Sequence, residues 1–221
     1  MQRQHSVLPN TLLWLLQRHF VANPLTYSIA PKVLVPIANG SEEIETVTII
    51  DVLRRANIEV KVAKVAEKGE AEGNLVCEMS RGVKLVADTF LDISAELPDM
   101  IVLPGGLKGA DTFAASKELL ELLKRQKECK TKWLAAICAS PAVVLARNGL
   151  IAPDEWATCY PRFQPELPNQ EKVADTVVVC GNLITSQGPG TTMQFSLTLV
   201  EMLISREKAD ELAKQLIHQG Y

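Results

Sequence analysis

The sequence predicts an α/β domain, a mostly parallel central sheet with helices packed on it. Three observations carry this. From Lys32 onward, strand-like apolar runs alternate with helix-like segments, the pattern of strand–helix–strand connections. Two of the runs, Met100-Ile101-Val102-Leu103 and Trp133-Leu134-Ala135-Ala136-Ile137, are apolar throughout, as strands covered on both faces are. The chain has 221 residues, 47% hydrophobic and 22% charged, which suits one domain with a sizeable core. No internal repeat, low-complexity tract or linker interrupts it. The reading is a single domain over residues 31–221, preceded by an extension over 1–30.

The elements follow in order. Lys32 to Ala38 is a buried-strand run. Asn39-Gly40-Ser41 supplies turn and cap chemistry, and Glu42 and Glu43 are acidic residues for the first turn of a helix ending near Ala56. Ile58, Val60 and Val62 alternate with charged residues as a second strand. Cys77 to Ala87 reads as a β excursion turning at Arg81-Gly82. Met100 to Leu103 is a strand closed by Pro104-Gly105-Gly106, and Ser116 to about Gln126 is an amphipathic helix. After the strand Trp133 to Ile137, a helix runs from Pro141 to Arg147 with proline near its first position, where a missing N–H costs nothing. Weaker strands are expected at Ala157–Cys159, Val173–Val179 and Leu183–Thr185. Gly188-Pro189-Gly190 then turns the chain into helices over Thr192–Leu203 and Glu207–Gln219.

Charge and composition exclude some classes. A net charge of -3 gives no basic surface for releasing phosphate counterions, so specific nucleic-acid binding is not expected. No apolar run reaches the ~20 residues of a membrane helix, so membrane binding is not expected either. Five scattered cysteines (Cys77, Cys129, Cys138, Cys159, Cys180) form no C-x-x-C pair, which argues against zinc and against a disulfide scaffold. A reducing, cytoplasmic compartment fits, with no metal and no cofactor expected. Residues 1–30 hold no Asp or Glu, two arginines (Arg3, Arg18) and the cluster Leu12-Leu13-Trp14-Leu15-Leu16. An acid-poor segment of this kind reads as a mitochondrial or other organellar transit peptide, or else as an inert extension or a helix lying on the domain.

Cys138 stands between an apolar strand and a helix start, among the small residues that a sharp strand-to-helix elbow needs. A sulfur there faces unpaired N–H groups at a helix N-terminus, which lower a thiol pKa. The alternative is an inert core cysteine. Only His5, His19 and His218 exist, and none follows a strand, so a Cys–His triad has no natural donor and a peptidase is disfavoured. The proton-handling partner is then a carboxylate: Glu42, Glu43 or Glu45, just past the first strand, at the strand ends where such folds bind ligands. Spacing does not choose among them, and the other two are expected to face solvent. Backbone N–H groups at Gly105-Gly106, with that of Ala139, form a candidate oxyanion hole. Both Gly105-Gly106 and Gly188-Pro189-Gly190 also read simply as turns.

The strings Gly40-Ser41-Glu42-Glu43-Ile44-Glu45-Thr46-Val47, Leu103-Pro104-Gly105-Gly106, Ala135-Ala136-Ile137-Cys138-Ala139-Ser140-Pro141 and Thr185-Ser186-Gln187-Gly188-Pro189-Gly190-Thr191 resemble the DJ/PfpI superfamily. The similarity is nearest to the branch of the human Parkinson-disease-associated protein and its bacterial relatives, and runs from about Lys32 to the C-terminus. It implies a flavodoxin-like three-layer sandwich, a homodimer with the pocket near the subunit interface, and Arg55 close to that interface. It makes Cys138 an oxidisable nucleophile, Glu45 its general acid/base, and Gly106 and Ala139 the backbone oxyanion donors. Gly105, Tyr160 and Pro189 become substrate-binding residues. Animal members carry a histidine where Thr158-Cys159-Tyr160-Pro161 places Tyr160, and Cys159 is expected as a second redox-sensitive thiol at the pocket mouth.

The function implied is cofactor-independent detoxification of small dicarbonyls, with glycated proteins as further substrates: a glyoxalase III-type or deglycase activity. The alternative is an oxidative-stress sensor and redox-regulated chaperone acting through Cys138.

Overall fold

Seven strands in the order β5-β2-β1-β6-β7-β9-β8 form one twisted sheet, parallel except for the edge strand β8. In chain order they are β1 (Lys32–Ile37), β2 (Glu59–Lys64), β5 (Thr89–Phe90), β6 (Met100–Leu103), β7 (Trp133–Ile137), β8 (Val177–Cys180) and β9 (Leu183–Ser186). A hairpin of β3 (Val76–Glu78) and β4 (Lys84–Val86) stands apart. The computed structural model describes residues 30–219, apart from 68, 71, 72 and 95. The extension over 1–30 therefore lies almost wholly outside the described residues. Among those described, no helix is long and apolar enough to cross a membrane.

Helices cover both faces, and each face has its own core. On one, α1 (Glu43–Arg55), α4 (Thr192–Leu203) and α5 (Arg206–Gln215) bury Ile49, Leu53, Phe195, Leu199 and Leu212 against Val33 and Val35 of β1. On the other, α2 (Leu107–Ala115) and α3 (Lys117–Glu128) bury Phe113, Leu119 and Leu123 against Ile101, Leu103 and Leu134. This is the mostly parallel, helix-covered sheet that the alternating pattern predicts, and the three-layer α/β sandwich that the family resemblance implies. From β1 the chain steps outward to β2 and β5, then returns to β6 on the other side of β1. The crevice outside the carboxyl ends of β1, β6 and β7 is thus a topological switch point, where open α/β sheets bind ligands.

Several elements differ from the sequence reading, each for a local reason. α2 hides in a glycine-rich stretch: Gly106 caps it at φ 84°, and Gly109 lies inside it. A Cβ at Gly109 would come within 2.6 Å of Ser41 Oγ, so the glycine that masks the helix is what lets it lie against the β1–α1 turn. Pro141–Leu145 is a π-helical turn running into a short 3₁₀ segment, Ala146–Asn148, stopped by left-handed Gly149. Ala157–Cys159 is buried but forms no strand. Its backbone bonds to side chains instead, Thr158 N donating to Thr185 Oγ1 at 2.9 Å. The expected strand at Val173–Val179 shrinks to β8, and α5 ends at Gln215, before Ile217 turns to φ 55°.

One fully buried charge shapes the rim. Lys64 ends β2 with its side chain sealed from solvent, its ammonium donating to Glu70, Asn74 O (2.8 Å) and Val76 O (2.7 Å). Each ammonium proton has a partner, which offsets the desolvation a buried charge otherwise suffers, and the strand-to-hairpin connection is tied down.

Candidate active site

The site assembles where three strand ends meet. After β7 the chain turns at Cys138 with φ 64°, one of three non-glycine residues with positive φ among those described. That conformation costs an ordinary residue roughly 1–2 kcal/mol, and the surroundings hold it there. Cys138 N donates to Ser186 O at 3.0 Å and Tyr160 N to Cys138 O at 2.8 Å. Ser140 Oγ donates to Pro104 O at 2.6 Å, anchoring the start of the following turn to the β6 loop. The elbow read from the sequence is real, and its sulfur is half-buried.

After β6, Gly105 and Gly106 pass so close to their neighbours that neither tolerates a side chain. A Cβ at Gly105 would overlap that of Cys138 and sit 2.7 Å from Glu45 Oε2; one at Gly106 would meet Gly40 O and sit 2.7 Å from Glu42 N. Glu42 N donates to Gly105 O at 3.0 Å, clamping the loop to the start of α1. After β1, Glu42 is the N-cap of α1, its Oε2 accepting from Glu45 N at 2.7 Å. Ser41, expected in the cap, instead folds inward and accepts from Ala38 N at 3.0 Å.

The three acidic residues separate by role. Glu45 is fully buried, its Oε2 accepting from Gly105 N at 2.7 Å while Oε1 has no hydrogen-bond partner. Its carboxyl interacts directly with the Cys138 thiol. The expectation that the other two face solvent is corrected. Glu43 is buried and accepts from Ser80 Oγ and Arg81 N, both at 2.7 Å, holding the β3–β4 hairpin tip, while Glu42 is half-buried at the cap.

Burial pushes the Glu45 carboxyl up to about 8, helped by the charge of Glu42 and opposed by the Gly105 N–H and the thiol. At neutral pH it is mostly protonated. The lowered thiol pKa expected for Cys138 is overturned: burial first, then the Glu45 charge, push it up to about 12, although the N–H groups of Gly106 and Ala139 pull it down. Protonating Glu45 removes the repulsion and lets its O–H donate to sulfur, so the thiolate is favoured only beside a neutral Glu45. The two groups work as a proton-sharing pair.

The pair opens onto a cleft of about 880 Å³, lined by Cys138, Ala139, Gly106, Tyr160 and Pro189. Gly105, expected as a substrate contact, does not line it and serves instead to hold Glu45. Cys159 is a second correction. It is fully buried in the core beneath the elbow, and burial pushes its thiol up to about 12. Ala157, Thr158 and Cys159 are buried in succession, and the chain reaches the surface only at Tyr160. The sequence reading missed the hairpin tip, which brings Met79, Ser80 and Arg81 to the cleft, and Arg162. The Arg81-Gly82 turn was legible, but its docking through Glu43 is a contact across 38 residues. Among the described residues, no histidine lines the cleft.

Comparison with known proteins agrees with this fold. A model of the DJ-1/PfpI family matches residues 31–202. "Protein DJ-1 homolog B" of Arabidopsis thaliana is 48% identical over 83% of this chain, which spans only 40% of that relative's length. "Glutathione-independent glyoxalase DJR-1.2" of Caenorhabditis elegans is 35% identical over 80% of this chain and 90% of its own. The solved structure of Toxoplasma gondii DJ-1, described as oxidized, is 44% identical with a TM-score of 0.78, covering 86% of this chain and all of that one.

Proposed function

Because the chain belongs to the DJ-1/PfpI family, we propose that it is a cysteine-dependent enzyme that converts methylglyoxal or glyoxal to the hydroxy acid. The observation that carries this is the buried Glu45 carboxyl against Cys138 Sγ, which faces the N–H groups of Gly106 and Ala139. Cys138 sulfur adds to the aldehyde carbon, its proton passing to the carbonyl oxygen, and gives a hemithioacetal. The N–H groups of Gly106 and Ala139 stabilise the charge that develops on that oxygen. Ionised Glu45 removes the C1 proton to form an enediol and returns it at C2, leaving a thioester. Water then cleaves the C–S bond, releasing lactate from methylglyoxal or glycolate from glyoxal and restoring the thiol. C1 is oxidised as C2 is reduced, so no external electron carrier enters. Repair of glycated proteins would use the same addition, on early adducts or by draining free methylglyoxal.

The name of the nematode relative supports this reading. A second reading is favoured by the oxidized state named for the Toxoplasma structure: Cys138 as a peroxide sensor. Two equivalents of hydrogen peroxide would take the thiol to a sulfinate, releasing water, with protonated Glu45 donating to the new oxygen. Lactate formation from methylglyoxal, beside Cys138→Ala and Glu45→Gln, tests the first. Turnover lost in both variants supports it, and no turnover above them rejects it. Peptide mass spectrometry after mild peroxide tests the second, which fails when Cys138 oxidises no faster than Cys129.

A further inference from the structure

The mouth of the Cys138 cleft carries three cations and two carboxylates. Arg81, Lys108 and Arg162 line it, against Glu42 and Glu78. Glu42 is engaged as the α1 cap, Glu78 lies opposite Lys84 across the hairpin, and Lys108 pairs with Glu67 at 3.4 Å. Among the described residues, Arg81 and Arg162 have no carboxylate at ion-pair distance. In a chain of net charge -3, two guanidinium groups without an ion-pair partner on one cleft are a distinct feature.

Both arginines are placed by structure rather than left on free loops. Arg81 follows the hairpin tip, whose backbone Glu43 grips at 2.7 Å. Arg162 belongs to the 3₁₀ turn Pro161–Glu166, its guanidinium 5.9 Å from the centre of the Phe163 ring, which in turn lies 6.5 Å from that of Tyr160. Tyr160 forms the wall beside the sulfur: a Cβ built at Gly188 would be 3.5 Å from its ring and 4.0 Å from Cys138 Sγ.

We propose that Arg81 and Arg162 form an anion subsite at the cleft mouth, so that the preferred substrate is an α-oxoaldehyde bearing a carboxylate or phosphate beyond its dicarbonyl. The choice of substrate rests on the dicarbonyl reading above; the subsite itself does not. Guanidinium groups suit planar or tetrahedral oxyanions through paired N–H donors. Methylglyoxal offers them nothing to hold. Both side chains are exposed, so the attraction is screened and strongly salt-dependent.

Alkylation of Cys138 reads the subsite without turnover. Iodoacetate and iodoacetamide each form a C–S bond with loss of iodide and differ chiefly in charge. Their rate ratio at Cys138, resolved by peptide mass spectrometry, is compared with that of the neutral thiol N-acetylcysteinamide. At low salt the ratio should favour iodoacetate by about three- to ten-fold over the reference, as an exposed pair of cations would. It should collapse in Arg81→Met with Arg162→Met and at high salt, and survive in Arg162→Lys. A ratio equal to the reference, or unmoved by salt and by the double variant, overturns the subsite. In turnover, 4,5-dioxopentanoate should exceed its neutral analogue 2-oxopentanal in kcat/KM, and 2-oxo-3-phosphooxypropanal as a third arm decides between carboxylate and phosphate. Equal kcat/KM for charged and neutral substrates counts against the subsite but leaves the activity standing. No turnover of any of the three, with the alkylation preference intact, leaves the subsite standing and rejects the dicarbonyl reading.

Discussion

Glu45 illustrates how one residue ties stability to chemistry. Its proton is held more tightly in the folded chain, about 8 against an ordinary 4.5, chiefly because the carboxyl is buried. The stability that this proton supports is present in full below about pH 4.5 and is lost as pH rises through about 8. By linkage the loss is on the order of a few kcal/mol. Urea unfolding at pH 5, 7 and 8.5 should show native stability falling with pH and Glu45→Gln nearly flat over that range. Activity runs the other way, because the base that removes the C1 proton is the ionised form: kcat/KM should rise with pH towards about 8. Gly105→Ala is the matching steric test. Its methyl would overlap Cys138 and crowd Glu45, so turnover should vanish with about 1–3 kcal/mol of destabilisation in denaturant melts. Gly190→Ala, where a Cβ meets nothing within 4 Å, should stay within about 0.5 kcal/mol of the native protein.

At the scale of elements, the β3–β4 hairpin and the start of α1 behave as one unit. Gly40 N donates to Glu78 O at 2.8 Å and Ser80 N to Ser41 O at 2.9 Å, with Glu43 gripping the tip. Burial pushes the Glu43 carboxyl up, but hydrogen bonds from the Ser80 hydroxyl and from backbone N–H groups outweigh it, and the net pKa is lowered. The resulting stability is present above about pH 4.5 and fades on acidification. Glu43→Gln should therefore speed amide exchange at Arg81, by the roughly 1–3 kcal/mol that an unsatisfied buried bond costs, and leave the elbow amides protected. Lys64→Met goes further. It strands Glu70 and the carbonyls of Asn74 and Val76, and should cost about 3–5 kcal/mol in thermal or urea unfolding.

For the whole molecule, the order of strands decides more than any single contact. Glu45, Gly106 and Cys138 are far apart in the chain, and the adjacency of β1, β6 and β7 brings them to one crevice. The family likeness carries the expectation of a homodimer, proposed here through the exposed apolar residues Ile44 and Val47 of α1. Sedimentation should then give twice the chain mass of 24.2 kDa, reduced to one by Ile44→Glu with Val47→Glu. Arg55, expected at that interface, is exposed on the same helix and pairs with Asp51 at 2.6 Å.

The sequence alone determined the class of fold, because hydrophobic periodicity and turn residues are local properties that survive without knowledge of neighbours. It also placed the elbow at Cys138, since small residues between an apolar run and a proline have few other uses. Tertiary structure alone decided the rest. It assigned Glu42 to a cap and Glu43 to the hairpin, and it seated Glu45, which the family resemblance singled out and residue spacing did not, beside the sulfur, because burial depends on what packs across the sheet. It turned Cys159 into the core and raised the Cys138 thiol, because desolvation by distant segments outweighed the local pull of backbone N–H groups. It also brought Arg81 and Arg162 to one cleft, a meeting of segments 81 residues apart that no local pattern encodes.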